Sequence, residues 1–67
     1  MLIKLTISSN GEPILINPED ISSVEANRKG PGSMIRKTDG QFKFVDESVD
    51  AIFKLSRGKL GPSNDEN

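Results

Sequence analysis

Cysteine, histidine, tyrosine and tryptophan are all missing from this chain of 67 residues. Without cysteine there are no disulfides, and without cysteine or histidine nearly all structural zinc sites are excluded. The same gaps remove the commonest general bases, nucleophiles and proton shuttles, so an enzyme is not expected. No apolar run approaches the ~20 residues that span a bilayer. Lys4 interrupts the one N-terminal apolar stretch, and no small-residue cleavage site follows. Neither membrane insertion nor export is therefore expected, which leaves the cytoplasm as the default compartment. Net charge is only −1, too little for a global field that would draw the whole molecule to nucleic acid or acidic lipid.

The reactive groups that remain do not form a recognisable set. Carboxylates at Glu12, Glu19, Asp20, Glu25, Asp39, Asp46, Glu47 and Asp50 need to converge before they can hold a metal or run acid–base chemistry. Glu19-Asp20 and Asp46-Glu47 sit beside helical turns, where solvated acids favour the positive end of the backbone dipoles. Ser48 has neither an S-x-x-K nor a G-x-S-x-G context and is better placed as a helix cap. Gly30-Pro31-Gly32 lacks the spacing of a phosphate cradle and does not precede a helix. The sequence predicts no catalytic residue, no cofactor and no metal.

A chain of this length has room for one domain, and a small domain buries only ~60% of the surface its unfolded form exposes. With disulfides and zinc gone, self-association is the remaining means of support. Leu2–Ile7 alternates cleanly and predicts a half-buried strand; Ser8-Ser9-Asn10-Gly11 is turn chemistry. Pro13 opens a second strand through Ile16, giving a hairpin. Asn17 caps a single helical turn with Pro18 at its first position. Residues 21–27 predict a third strand with Val24 and Ala26 on one face, weakened by Ser22 and Ser23. Residues 28–33 (RKGPGS) read as a loop.

Met34–Thr38 and Gln41–Val45 follow as two more strands, joined by Asp39-Gly40 in a tight type I′ turn. Phe42 and Phe44 share one face of the last strand and are assigned to the core. The helix runs from about Val49 to Arg57, capped by Ser48 and closed by Gly58, with Val49, Ile52, Phe53 and Ser56 on its apolar stripe. Asp50 and Arg57 complement its dipole. The expected architecture is α+β: a small bent antiparallel sheet of four to five strands, barrel-like, covered by one C-terminal helix. The domain spans residues 1–58, and residues 59–67 form a disordered polar tail.

Charge is segregated along the chain. Residues 1–27 carry net −3, residues 28–44 net +4 and the remainder net −2. The basic segment holds Arg28, Lys29, Arg36, Lys37 and Lys43 on one hairpin and its preceding loop. These five are the candidate interaction residues. They could meet phosphates as a ribbon, guard a strand edge or contact a protein. With Phe42 and Phe44 assigned to the core, no aromatic is left to stack on bases, which argues against nucleic acid.

The order of motifs resembles the FlbD family, small bacterial proteins linked to flagella and swarming motility. The matching pieces are Ile3-Lys4-Leu5-Thr6, Asn10-Gly11, Leu15-Ile16-Asn17-Pro18-Glu19-Asp20-Ile21 and Val24-Glu25. They continue with Asp39-Gly40, Phe44-Val45 and Glu47-Ser48-Val49-Asp50-Ala51-Ile52, so the resemblance covers roughly residues 1–55. It departs at 28–33, where family members carry a shorter, more acidic turn. The chain is also similar, from Asp20-Ile21 through the following hairpin and helix, to the strand half of LytTR-type DNA-binding domains. The later basic strands that contact DNA there have no counterpart here. The FlbD resemblance implies a motility-associated protein. The leading expectation is a non-enzymatic protein-interaction or regulatory module with a protein partner or self-association, and the alternative is nucleic-acid binding by the hairpin at 28–43.

Overall fold

Alternation of large aliphatic residues builds the first hairpin, β1 (Ile3–Thr6) against β2 (Pro13–Ile16). Ile3 pairs with Ile16 and Leu5 with Ile14, so one face of this ribbon is continuous hydrocarbon. Its loop closes through Ile7 N–H to the Glu12 carbonyl and Gly11 N–H to the Ile7 carbonyl, both 2.8 Å, with Gly11 at φ 72°. The computed structural model describes residues 1–60. Among them, no helix is long and apolar enough to cross a membrane.

A 3-10 turn at Pro18–Asp20 then reverses the chain, with Asn17 accepting the Glu19 N–H as expected for its cap. It delivers β3 (Ile21–Ala26), which pairs with β4 (Ser33–Lys37), and β4 pairs in turn with β5 (Phe42–Val45), all antiparallel. The pairing of β3 slips between Ile21 and Ser23. Ser22 is the extra residue of this bulge, and its hydroxyl donates to the Arg36 carbonyl at 3.2 Å. Ile21 and Val24 are three apart and belong to opposite faces of a regular strand. The bulge turns both toward the core, and it accounts for the two serines in this strand. Of the other residue assigned to that face, Ala26 is exposed.

Helix α1 (Val49–Ser56) starts where Ser48 accepts the Ala51 N–H at 3.1 Å. It ends one residue earlier than expected, because Arg57 itself takes a left-handed conformation (φ 58°) ahead of Gly58 (φ 74°). The helix buries Ile52 and Ser56, and Ser56 returns its hydroxyl to the Phe53 carbonyl at 2.9 Å. Val49 and Phe53, assigned to the apolar stripe, are exposed; Phe53 is 55% accessible. A helix of eight residues against a narrow sheet can seat only one row of side chains, so the two flanks of its stripe stay outside.

The core consists of Ile3, Leu5, Ile16, Ile21, Ile35, Val45 and Ile52, drawn from all five strands and the helix. Each buried aliphatic side chain contributes roughly 1.5–3 kcal/mol by leaving water. Ile14, Val24 and Leu60 pack at its margin, so chain assigned to the tail still meets the core at Leu60. The rest of that expected tail, 61–67, lies outside the described residues.

The α+β class, the five antiparallel strands and the C-terminal helix are all present. The strands, however, form two sheets, β1-β2 and β3-β4-β5, and not one barrel. Among the described residues, a single bridge, Ile7 with Val45, joins them. It is flanked by Ser8 N–H to the Phe44 carbonyl (3.0 Å) and Asp46 N–H to the Thr6 carbonyl (2.9 Å). The ladder goes no further because β5 ends at Val45 and the chain turns off toward the helix.

A candidate binding face on the three-stranded sheet

The turn between β4 and β5 decides which side chains this sheet shows to solvent. A two-residue type I′ loop at Asp39-Gly40 requires positive φ at both positions. Here Gly40 alone has it, at φ 92°, and Asp39 does not. Gly40 N–H donates to the Lys37 carbonyl (3.0 Å) and Lys37 N–H to the Gln41 carbonyl (2.7 Å). Asp39 Oδ1 accepts the Gln41 N–H at 2.9 Å. These bonds describe a three-residue loop, a type I turn followed by a left-handed glycine.

The extra loop residue shifts the pairing by one. Phe42 lies opposite Arg36 and Phe44 opposite Met34, while Lys43 faces Ile35 and Val45 faces Ser33. Cross-strand partners share a face, and a slip of one residue exchanges the faces of an entire strand. The shorter loop would have placed Phe44 beside buried Ile35. The loop that forms instead places Val45 in the core and both phenylalanines outside, 54% and 42% accessible. The expectation that they are core residues is therefore corrected. Their rings meet edge to face, centroids 5.9 Å apart.

The candidate basic residues fall around these rings unevenly. Arg36 is exposed on the same face, cross-strand from Phe42. Arg28 and Lys29, both exposed, line a hollow with Met34, Phe44 and the carboxylate-bearing Glu25. Lys43 is half-buried and borders a second hollow with Ile7, Ser9, Phe42 and Phe44. Lys37 and Lys43 depart from the group: both share the inward parity of Ile35, Lys37 lying opposite Ile21 and Lys43 opposite Ile35 itself. The five do not make one basic ribbon. Three of them, Arg28, Lys29 and Arg36, border the exposed aromatic pair.

The loop at 27–32 is positioned by its own backbone. Asn27 Oδ1 accepts the Lys29 N–H at 3.0 Å, and Asn27 N–H reaches the Gly32 carbonyl at 3.0 Å. Gly32 adopts φ 88° directly against β5, and a side chain there would run into the Val45 carbonyl oxygen. Next to it, Ser33 is fully buried and donates to the Glu47 carbonyl at 2.7 Å. The loop that carries Arg28 and Lys29 is thus anchored at its β4 end.

The two hollows measure about 230 and 240 Å³. Small-molecule sites usually occupy ~300–1,000 Å³, so each has room for a ring or a side chain and does not enclose a substrate. Among the described residues, no group of three or more acidic side chains is gathered as a metal site. The acids expected to be solvated helix-start charges also divide: Glu47 instead bonds Thr6 with both carboxylate oxygens. Leu2, just before β1, and Leu15, on β2, are also exposed.

Comparison of the chain with protein families, with curated proteins and with solved structures finds no match.

Proposed function

We propose that this protein is a non-enzymatic interaction module whose working surface is the outer face of β3-β4-β5. The exposed pair Phe42 and Phe44, bordered by Arg28, Lys29 and Arg36, carries the reading. Two adjacent phenylalanines left on a sheet face sacrifice burial that the small core needs, and contiguous exposed apolar surface with a polar rim is how interaction sites are built. The composition supports the absence of catalysis, since the side chains that usually run it are missing. The resemblance to the FlbD family supports a motility setting for the interaction.

The test is capture with tagged full-length protein and with a Phe42→Ser, Phe44→Ser double variant of the same tag. The wild type recovers a macromolecular partner that the double variant loses. Identical recovery by both removes the face from consideration, and turnover of any substrate by the purified chain overturns the proposal. Swarming lost on deletion of the gene supports the motility setting; unchanged swarming removes that part alone.

A further inference from the structure

We infer that the partner of this face is single-stranded nucleic acid, with bases stacked on Phe42 and Phe44 and phosphates held by the cations around them. This rests on the reading of the face as the working surface and goes on to name what occupies it.

The arrangement follows from the register. β4 and β5 run antiparallel, so the Met34–Phe44 pair lies at the end of the sheet nearest the 27–32 loop. The Arg36–Phe42 pair lies nearest the opposite turn. Along the hairpin the order is therefore Arg28 and Lys29, then Phe44 beside Met34, then Phe42 beside Arg36. The two rings run in a row on β5, with cations at the loop end and a third cation at the side of Phe42. Sheets that bind single strands place aromatic side chains on an open face and let successive bases stack on them. A positively charged border that follows the backbone completes such a surface.

The same observations disfavour other occupants. In a duplex the base faces are hidden in the helical stack, so two phenylalanines on a broad sheet would meet only sugar and phosphate. A neutral apolar partner would cover the rings but leave the neighbouring cations desolvated and unpaired, which is costly. A single strand supplies both complements at once: every base has a π-face and every nucleotide a negative charge. The whole-chain charge of −1 does not oppose this, because the segment at 28–44 carries net +4. Glu25, opposite Met34 on β3, is the one acid bordering the first hollow. It repels phosphate from the β3 side and keeps the path on β4 and β5.

The experiment is fluorescence anisotropy of a labelled mixed-sequence single-stranded oligonucleotide titrated with the full chain. The same sequence as a duplex is measured in parallel, both at several salt concentrations. Single strand binds more tightly than duplex, and the logarithm of the binding constant falls with log salt at a slope of about −2, as three neutralised phosphates require. Phe44→Ala weakens binding roughly 5- to 150-fold, the loss of one stacked base. Phe44→Tyr keeps the affinity because it keeps the ring, whereas Phe44→Leu keeps apolar area and still loses it. Arg36→Glu weakens binding and flattens the salt slope, and Leu15→Ala, on the other sheet, changes nothing. Circular dichroism of each variant confirms the fold, since all of these positions are exposed.

No single-strand binding at low salt by the folded protein overturns the inference. So does binding that is equal for duplex and unaffected by Phe44→Ala, because that is charge attraction without a stacking surface. If a protein partner is captured through Phe42 and Phe44 while no oligonucleotide binds, the inference fails and the module reading stands. If neither protein nor nucleic acid depends on those two residues, both fail.

Discussion

Glu47 receives two hydrogen bonds from Thr6, one from the backbone N–H and one from the hydroxyl, each 2.9 Å long. The residues are 41 positions apart. Thr6 carbonyl already accepts from Asp46, and Ile7 bridges to Val45, so β1 and β5 are paired up to this point. One residue further on, the β5 strand has ended and offers no backbone acceptor in line. The Glu47 carboxylate takes that place. It extends the contact between the two sheets by one bond beyond the end of the strand, and its own carbonyl receives the Ser33 hydroxyl.

Replacing Glu47 by alanine strands the half-buried Thr6 N–H. Hydrogen bonds to a charged partner contribute roughly 1.5–3 kcal/mol each, less where water can substitute, so we expect a loss of about 2 kcal/mol. For a domain of this size that lowers the melting temperature by roughly 8–16 °C. Glu47→Gln retains a carbonyl for the Thr6 N–H and an amide that can donate to its hydroxyl, and should lose only about 1 kcal/mol. Thermal unfolding of the two variants checks both. Equal stability of wild type and Glu47→Ala would remove this contact from the account of how the sheets are joined.

The glycines of the 27–32 loop are not equivalent. Gly32→Ala combines a left-handed backbone with a clash against the Val45 carbonyl, and we expect a cost of at least about 2 kcal/mol. Gly30 has open space around it and no positive φ, so Gly30→Ala should fall within about 0.5 kcal/mol of wild type. Urea midpoints for the pair measure the difference.

Phe44 and Ile35 reverse the order that size alone would give. Ile35→Ala opens the fully buried centre of the three-stranded sheet and should cost about 2–5 kcal/mol. Phe44→Ala removes a larger side chain that already faces water, and should cost about 1 kcal/mol or less. Denaturant titration of each distinguishes the observed register from one shifted by a residue, in which Phe44 is the more damaging change.

Much of the fold is legible in local chemistry. The alternation in Ile3–Thr6, the Asn17-Pro18 turn and the Ser48 cap each form from residues within a few positions of one another, and each appears where the pattern puts it. The candidate face was harder to read. Charge points to Arg36 and the loop cations, but the alternation of β5 by itself puts Phe42 and Phe44 in the core, whereas the structure leaves them on the outer face. The signal that separates the two cases is slight. Asp39-Gly40 serves a two-residue loop and a three-residue loop equally well, and only the sign of one φ angle tells them apart.

The order of strands and helix, the missing reactive groups and the concentration of positive charge at 28–44 were determined by the sequence alone, because each depends on composition or near-neighbour geometry. Tertiary structure decided which set of β5 side chains is buried and that the strands divide into two sheets. Parity is the physical reason: a strand has two faces, local pattern does not choose between them, and the choice falls to whichever register lets Val45 and Ile35 meet Ile52 in a core too small to admit the phenylalanines as well.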